Sequence, residues 1–265
     1  MRLKITHTTR YDFDAPVAYG LQQLRKTPKS SRAQSVLSWT TSIEGGRKEL
    51  QFEDQHRNVV ELVSLDPGAR SITVRCEGEV ELAETHGVVG AHQGFAPLWL
   101  FQRSTDLTKA GPACRDLVRK VEGEGEINRL HNLSTLIGQA VSYEVGKSET
   151  HWDAEQVITA GHGVCQDHAH VFIACARLMG HPARYVSGYL MMDDRTEQEA
   201  THAWAEAHVD GLGWVGFDVS NGISPDTRYV RVATGLDYSE AAPVSGTRYG
   251  GEGEALTVVV EVAQQ

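Results

Sequence analysis

The segment Gly163-Val164-Cys165-Gln166-Asp167-His168 constrains this chain more than any other: glycines at 161 and 163 break the backbone, and a thiol then opens an apolar helix. Glycine allows tight turns and close backbone approach, which leaves room for a second molecule beside Cys165. From there Ala169, Phe172, Ile173, Ala176 and Leu178 or Met179 recur on the inward side, until Gly180 and Pro182 end the run. Ala183 to Leu190 reads as a strand, and Met192 to Ala200 as an acidic loop. His202 to Val209 and Trp214 to Asp218 read as two further strands around the turn Asp210-Gly211-Leu212-Gly213. A thiol at a helix start, a later strand histidine and a later strand aspartate are together the parts of a cysteine nucleophile.

The first part of the chain has a different texture. Leu3, Ile5 and His7 alternate with Arg2, Lys4 and Thr6, and Val36–Thr40, Val59–Val63 and Ser71–Cys76 follow as short strand-like runs. Glu44-Gly45-Gly46 and Asp66-Pro67-Gly68 separate them as turns. Repeated short strands of this kind predict a small antiparallel sandwich or half-barrel. Gly- and Pro-punctuated text from about Thr85 to Phe101 reads as a linker. Helical text follows, with Pro112 near one helix start, an i, i+3, i+4 stripe through Leu130, Leu133, Leu136 and Ile137, and Asp153 as a cap. The expected organisation is a β-rich domain at 1–85, a linker at 86–109 and a second domain at 110–265 that ends in a strand, Ala255 to Val262.

The chain has 265 residues and a formal net charge of -10 with no basic run, a balance that argues against nucleic acid as a partner. No stretch reaches membrane-spanning length, and Met1-Arg2-Leu3-Lys4-Ile5 lacks the apolar region of a signal peptide, so a cytoplasmic location is expected. The four cysteines, Cys76, Cys114, Cys165 and Cys175, are scattered and form no C-x-x-C pair. Cys76 and Cys175 fall at apolar positions and read as small buried hydrophobes.

Chemistry singles out Cys165. The thiolate is the nucleophile, and the unpaired N–H groups and dipole of a helix start favour negative charge there. The base must come from elsewhere. On the strand from His202, side chains alternate, so His202, Trp204, Glu206 and His208 share one face. A three-residue loop at Asp210-Gly211-Leu212 pairs Val209 with Gly213 and sets Trp204 opposite Asp218. Asp218 then lies diagonal to His202, roughly 7–8 Å away between backbones. A two-residue loop puts the pair on opposite faces, so the proposed triad depends on register. In the favourable register Asp218 orients the imidazole, His202 takes the thiol proton, and Cys165 attacks a carbonyl. The Cys165 N–H is one oxyanion donor, and a second is sought near Tyr143 or Trp152. Trp204 and Trp214 either wall the cleft or pack the core.

Metal binding is the competing reading of the same histidines. His162, Cys165, His168 and His170 have ligand-like gaps, but a helix turns His168 and His170 roughly 160° apart. No metal and no cofactor is therefore expected, and the absence of a D-x-[DN]-x-[DN]-G run predicts independence from calcium.

Gly163–His170, Ala183–Tyr189, Thr201–Glu206 and Gly213–Asp218 together resemble the bacterial transglutaminase-like superfamily, with the core likeness running from about Leu130 to Asn221. Tyr11-Asp12-Phe13 and the segment from Leu21 to Pro28 resemble the amino-terminal region often joined to such domains. The resemblance implies an α+β fold: a papain-like core, helices packed on an antiparallel sheet, preceded by a small β-sandwich domain. It maps catalytic roles onto Cys165, His202 and Asp218, and implies cleavage or transfer of amide bonds through a thioester on a peptide or protein substrate. Trp152, Trp204 and Tyr143 are candidates for substrate contact, and His151-Trp152 for substrate preference. One departure is visible: Val219-Ser220 stands where the family usually has Pro-Thr. Hydrolysis needs nothing beyond the triad; transfer to an amine and a catalytically idle binding module are the alternatives.

Overall fold

In the computed structural model, which describes residues 1–265, the chain begins with β1 (Arg2–Thr27), β2 (Gln34–Glu44), β3 (Gly46–Glu53), β4 (Val59–Leu65) and β5 (Ala69–Leu82). A short β6 (Val88–Gly90) and a 3-10 turn at Leu98–Gln102 lead to α1 (Pro112–Arg119) and α2 (Glu126–Ala140). The two-residue strands β7 (Ser142–Tyr143) and β8 (His162–Gly163) bracket α3 (Ala154–Ala160), and α4 (Cys165–Leu178) follows. Then come β9 (Ala183–Leu190), β10 (Glu197–Gln198), β11 (His202–Val209), β12 (Gly213–Phe217) and β13 (Tyr229–Gly235). The last elements are α5 (Tyr238–Ala241), β14 (Val244–Gly250) and β15 (Ala255–Gln264).

β1 organises the first sheet. Leu3, Ile5, His7 and Thr9 alternate inward, and the strand is long enough to serve two sets of neighbours. Its first half lies between β5 and β15, and its second half between β4 and β14, so the sheet curls around it. This corrects two expected boundaries. The carboxy-terminal strand does not belong to the second domain: Val260 and Val262 pair with His7 and Ile5 and complete the first sheet. The segment 86–109 is not a free linker either. β6 hydrogen-bonds to β12, and Phe101 is buried against Trp214. In the expected acidic loop, Glu197 and Gln198 form β10 along the edge of β15.

The second sheet runs in the order β13-β9-β11-β12-β6. Its strands are small on one face, and Ala183, Ala203, Ala205 and Ala207 let α4 lie close. From Asp167 to Ala176 every residue of α4 is buried, with α1, α2 and α3 covering the sides the sheet leaves open. Elsewhere the second sheet packs on the first through Leu3, Ile5, Val260 and Val262 against Tyr189, Val230 and Val232. Each aliphatic side chain buried this way is worth about 1.5–3 kcal/mol, so the two sheets hold one another through a continuous apolar layer.

The turn between β11 and β12 sets the site. Val209 pairs with Gly213 and Ala205 with Phe217, the three-residue connection. Gly211 and Gly213 have φ of +81° and +80°, a conformation that glycine reaches without strain. Continuing this register places Asp218 on the His202 face.

Candidate active site

Cys165 is the first residue of α4 and is partly exposed, so its backbone N–H has no partner within the helix. Two local features fix that start. The Val164 N–H donates to the Asp167 carboxylate at 2.8 Å, tying the approach to the first turn. Gly163 sits so close to Asp167 that an added Cβ would lie 2.7 Å from the aspartate Cβ and 2.9 Å from its Oδ2. Gly163→Ala is therefore expected to displace Asp167, lower stability by about 1–3 kcal/mol and depress thiol reactivity; denaturant titration and alkylation rates measure the two effects.

His202 opens β11 and its ring is buried. Its Nε2 donates to Asp218 Oδ2 at 2.7 Å, which leaves Nδ1 for the thiol. Burial opposes the imidazolium, but the hydrogen bond to Asp218 and the nearby Cys165 sulfur outweigh it and push His202 up to about 10. Asp218 is 1% exposed. Burial alone would raise its pKa, yet His202, Asn221 and Tyr229 together hold it below the ordinary carboxylate range.

Asp218 has more support than the sequence revealed. Tyr229 donates its hydroxyl to Oδ2 at 2.7 Å, and so does the Asn221 amide at 2.7 Å. The backbone is held by paired bonds between Asp218 and Ile223. Asn221 was within reach of sequence reasoning, because an aspartate followed three residues later by a turn amide signals a local side-chain turn. Tyr229 carried no such signal, since β13 reaches Asp218 only through the pairing of β13 with β9. Tyr229→Phe removes one donor from a buried carboxylate. It is expected to cost about 1.5–3 kcal/mol in denaturant titration.

His168 and His170 take structural partners. His168 Nε2 donates to the Val141 carbonyl at 3.0 Å, so its Nδ1 accepts from the Ser220 hydroxyl at 2.8 Å. Burial lowers its pKa and keeps the ring neutral. Ser220 thus retains a hydroxyl where the family pattern has Thr. His170 Nε2 accepts from the Tyr238 N–H at 3.2 Å, and burial lowers this ring to about 4. No three His, Cys, Asp or Glu side chains gather in a metal-binding arrangement.

The three aromatic candidates separate. Tyr143 is 52% exposed, on a rim strand that pairs with Gly163. Burial, and then the charges of Cys165 and Asp218, raise its pKa, and its ring centre lies 6.1 Å from that of His168. Trp152 is half-buried, with its ring centre 5.6 Å from that of His162. Trp204 is a correction. It is 3% exposed, stacks on His202 at 6.2 Å and meets Tyr229 edge-on at 5.4 Å, so it backs the imidazole rather than walling the open cleft. Trp214 is buried beneath the Arg184 guanidinium.

Comparison with known proteins agrees with this architecture. Residues 115–219 match the transglutaminase-like superfamily and residues 3–81 the bacterial transglutaminase-like N-terminal region. The chain belongs to the transglutaminase-like superfamily, with the bacterial N-terminal region ahead of its core. An uncharacterised protein of Mycobacterium leprae is 26% identical, over 99% of each chain. One from Mycobacterium tuberculosis is 26% identical, over 98% of this chain and 92% of its own. A crystal structure from Cytophaga hutchinsonii, described as "a Putative Cysteine Protease", superposes with a TM-score of 0.81 at 19% identity, over 99% of this chain and 90% of that one. The fold is thus the α+β arrangement expected of such proteins. No helix is long and apolar enough to cross a membrane.

Proposed function

We propose that this protein is a cytoplasmic thiol enzyme that cleaves amide bonds in a peptide or protein substrate, with Cys165, His202 and Asp218 as its catalytic residues. The observation that carries this reading is the buried His202 ring held by Asp218 at 2.7 Å and lying near enough to the Cys165 thiol, at the start of α4, to feel its charge. The Cys165 thiolate attacks the amide carbon, and the helix-start N–H stabilises the oxyanion. The His202 imidazolium gives its proton to the departing amine, leaving a thioester on Cys165. Water then attacks the thioester while His202 takes up the water proton, and the acid leaves. Hydrolysis is favoured over transfer because Cys165 is partly exposed beside an exposed rim at Tyr143, where water has access.

The protonated ring sets a pH limit. The working pair is a thiolate beside an imidazolium, so kcat/KM should fall as pH rises through about 10, where His202 loses its proton. Asp218→Asn removes the anion that holds this proton, and the alkaline limb should move to lower pH; rate profiles of the two proteins test the shift.

Mass spectrometry of a peptide library incubated with the protein, with and without a primary amine, tests the reaction type. New peptide termini with yields indifferent to the amine support hydrolysis. Amine incorporated at glutamine would mean transfer instead. Unchanged peptides, together with bound ones, would mean a binding module.

A further inference from the structure

The chain carries ten net negative charges, yet the Lys and Arg side chains that line one cavity face no lining carboxylate. It lies between the first sheet and the core, measures about 900 Å³ with its open mouth included, and has 14 lining residues, five of them Lys or Arg and none Asp or Glu. The chain as a whole has 25 Lys and Arg in 265 residues, so this lining is several times richer than average. The five are Lys29, Arg32, Arg57, Arg184 and Arg231, drawn from four separated segments, which is why no basic run is visible in the sequence.

Their pairing is incomplete. Arg184 and Arg231 share a single carboxylate, Glu206, at 2.6 and 2.8 Å. Arg57 reaches Glu53 only at 3.5 Å, across exposed side chains. Lys29 and Arg32 line the cavity without a carboxylate in contact. Partial burial lowers Lys29 to about 8, and the Arg231 and Arg57 charges push in the same direction, while Glu53 and Asp54 oppose them. Asp54 is itself occupied by Arg25 and by the backbone N–H groups of His56 and Asn58. His56 supplies an independent sign. Its side chain is 1% exposed and its Nε2 meets Glu240 at 2.7 Å, but Nδ1 is buried with no partner in the protein. This histidine also lines the cavity.

We propose that this cavity binds the anionic head of a small molecule, a phosphate or a carboxylate, between Lys29, Arg32, Arg57 and Arg231. Compact oxyanions suit such a site, because guanidinium groups bind them through paired hydrogen bonds and a desolvated ammonium gains from a counter-charge. Room for the rest of the molecule exists. Arg231 and Gln34 also line an adjoining cavity that ends at Trp204 and Tyr229, the two aromatic side chains behind His202.

Calorimetric titration of the whole protein with inorganic phosphate and with citrate, at matched ionic strength, tests the site. Saturable binding of at least one anion is expected, with the stronger of the two identifying the head group. Lys29→Met and Arg32→Glu should each weaken it by roughly tenfold or more, whereas Arg10→Met, on the far exposed surface, should not. Arg57→Asn, which tolerates the left-handed backbone at φ 62°, provides a third variant, and melting curves check that each one folds. Absence of saturable binding by either anion, or binding that survives all three substitutions, overturns the proposal.

Discussion

Replacing Cys165 with alanine should abolish turnover while leaving the fold intact, and replacing His202 with alanine should cost nearly as much. For residues that act as one unit, losses on the order of 10⁴–10⁶ in kcat are expected. The geometry gives the reason. The imidazole has one nitrogen on Asp218 at 2.7 Å and the other free for the thiol, so each group is competent only through its neighbour. Once Cys165 is gone, His202→Ala should therefore remove almost nothing further. Asp218→Asn should cost on the order of 10⁴, because an amide holds the wrong ring tautomer. Rates for the single and double variants, on whichever peptide the library survey identifies, measure this coupling. Additive losses would mean that the three side chains act separately.

The second large effect lies away from the thiol. Glu206 is fully buried on β11, directly across from Arg184 on β9, and also holds Arg231 from β13. Burial alone would raise this carboxyl, but the two guanidinium groups outweigh it and hold it down to about 2. Arg184 in turn is pressed over the Trp214 ring at 3.8 Å, with its side chain only 10% exposed. Glu206→Gln keeps the volume and removes the charge, leaving Arg184 unpaired in the interior. A loss of about 3–5 kcal/mol is expected from denaturant titration near neutral pH. The sign with pH follows. A depressed carboxylate contributes fully above its unfolded value of 4.5, and that contribution fades as pH falls through about 2. The difference between wild type and Glu206→Gln should therefore shrink in acid.

Local chemistry made parts of this protein readable. Glycines 161 and 163 with the apolar stripe after Cys165 announced α4, and Asp153 capped α3 with its side chain on the Gln156 N–H. The Asp210-Gly211-Leu212 turn carried the register that puts His202 and Asp218 on one face, because turn length and strand alternation are both local rules. Long-range pairing was not readable in the same way. The valines of β15 look alike whichever sheet they join. Only the free edge of β1, more than two hundred residues earlier, decides their place. Tyr229 was hidden because its hydroxyl reaches Asp218 across a strand order that no local pattern encodes. Trp204 was ambiguous because alternation gives a face, while burial depends on what covers that face, here Val186, Leu190 and Tyr229. The basic cavity has no local signature for a similar reason, since its cations come from distant loops and strands.

The central claim is that His202, oriented by Asp218, activates the sulfur of Cys165 as the nucleophile. The most direct test is the rate of alkylation by iodoacetamide as a function of pH, followed by intact mass. Cys76, Cys114 and Cys175 are buried, so a single adduct is expected, at Cys165. At pH 6, where a free thiol is almost wholly protonated, the native protein should react far faster than His202→Ala. Equal, slow rates for the two proteins at that pH would contradict the account.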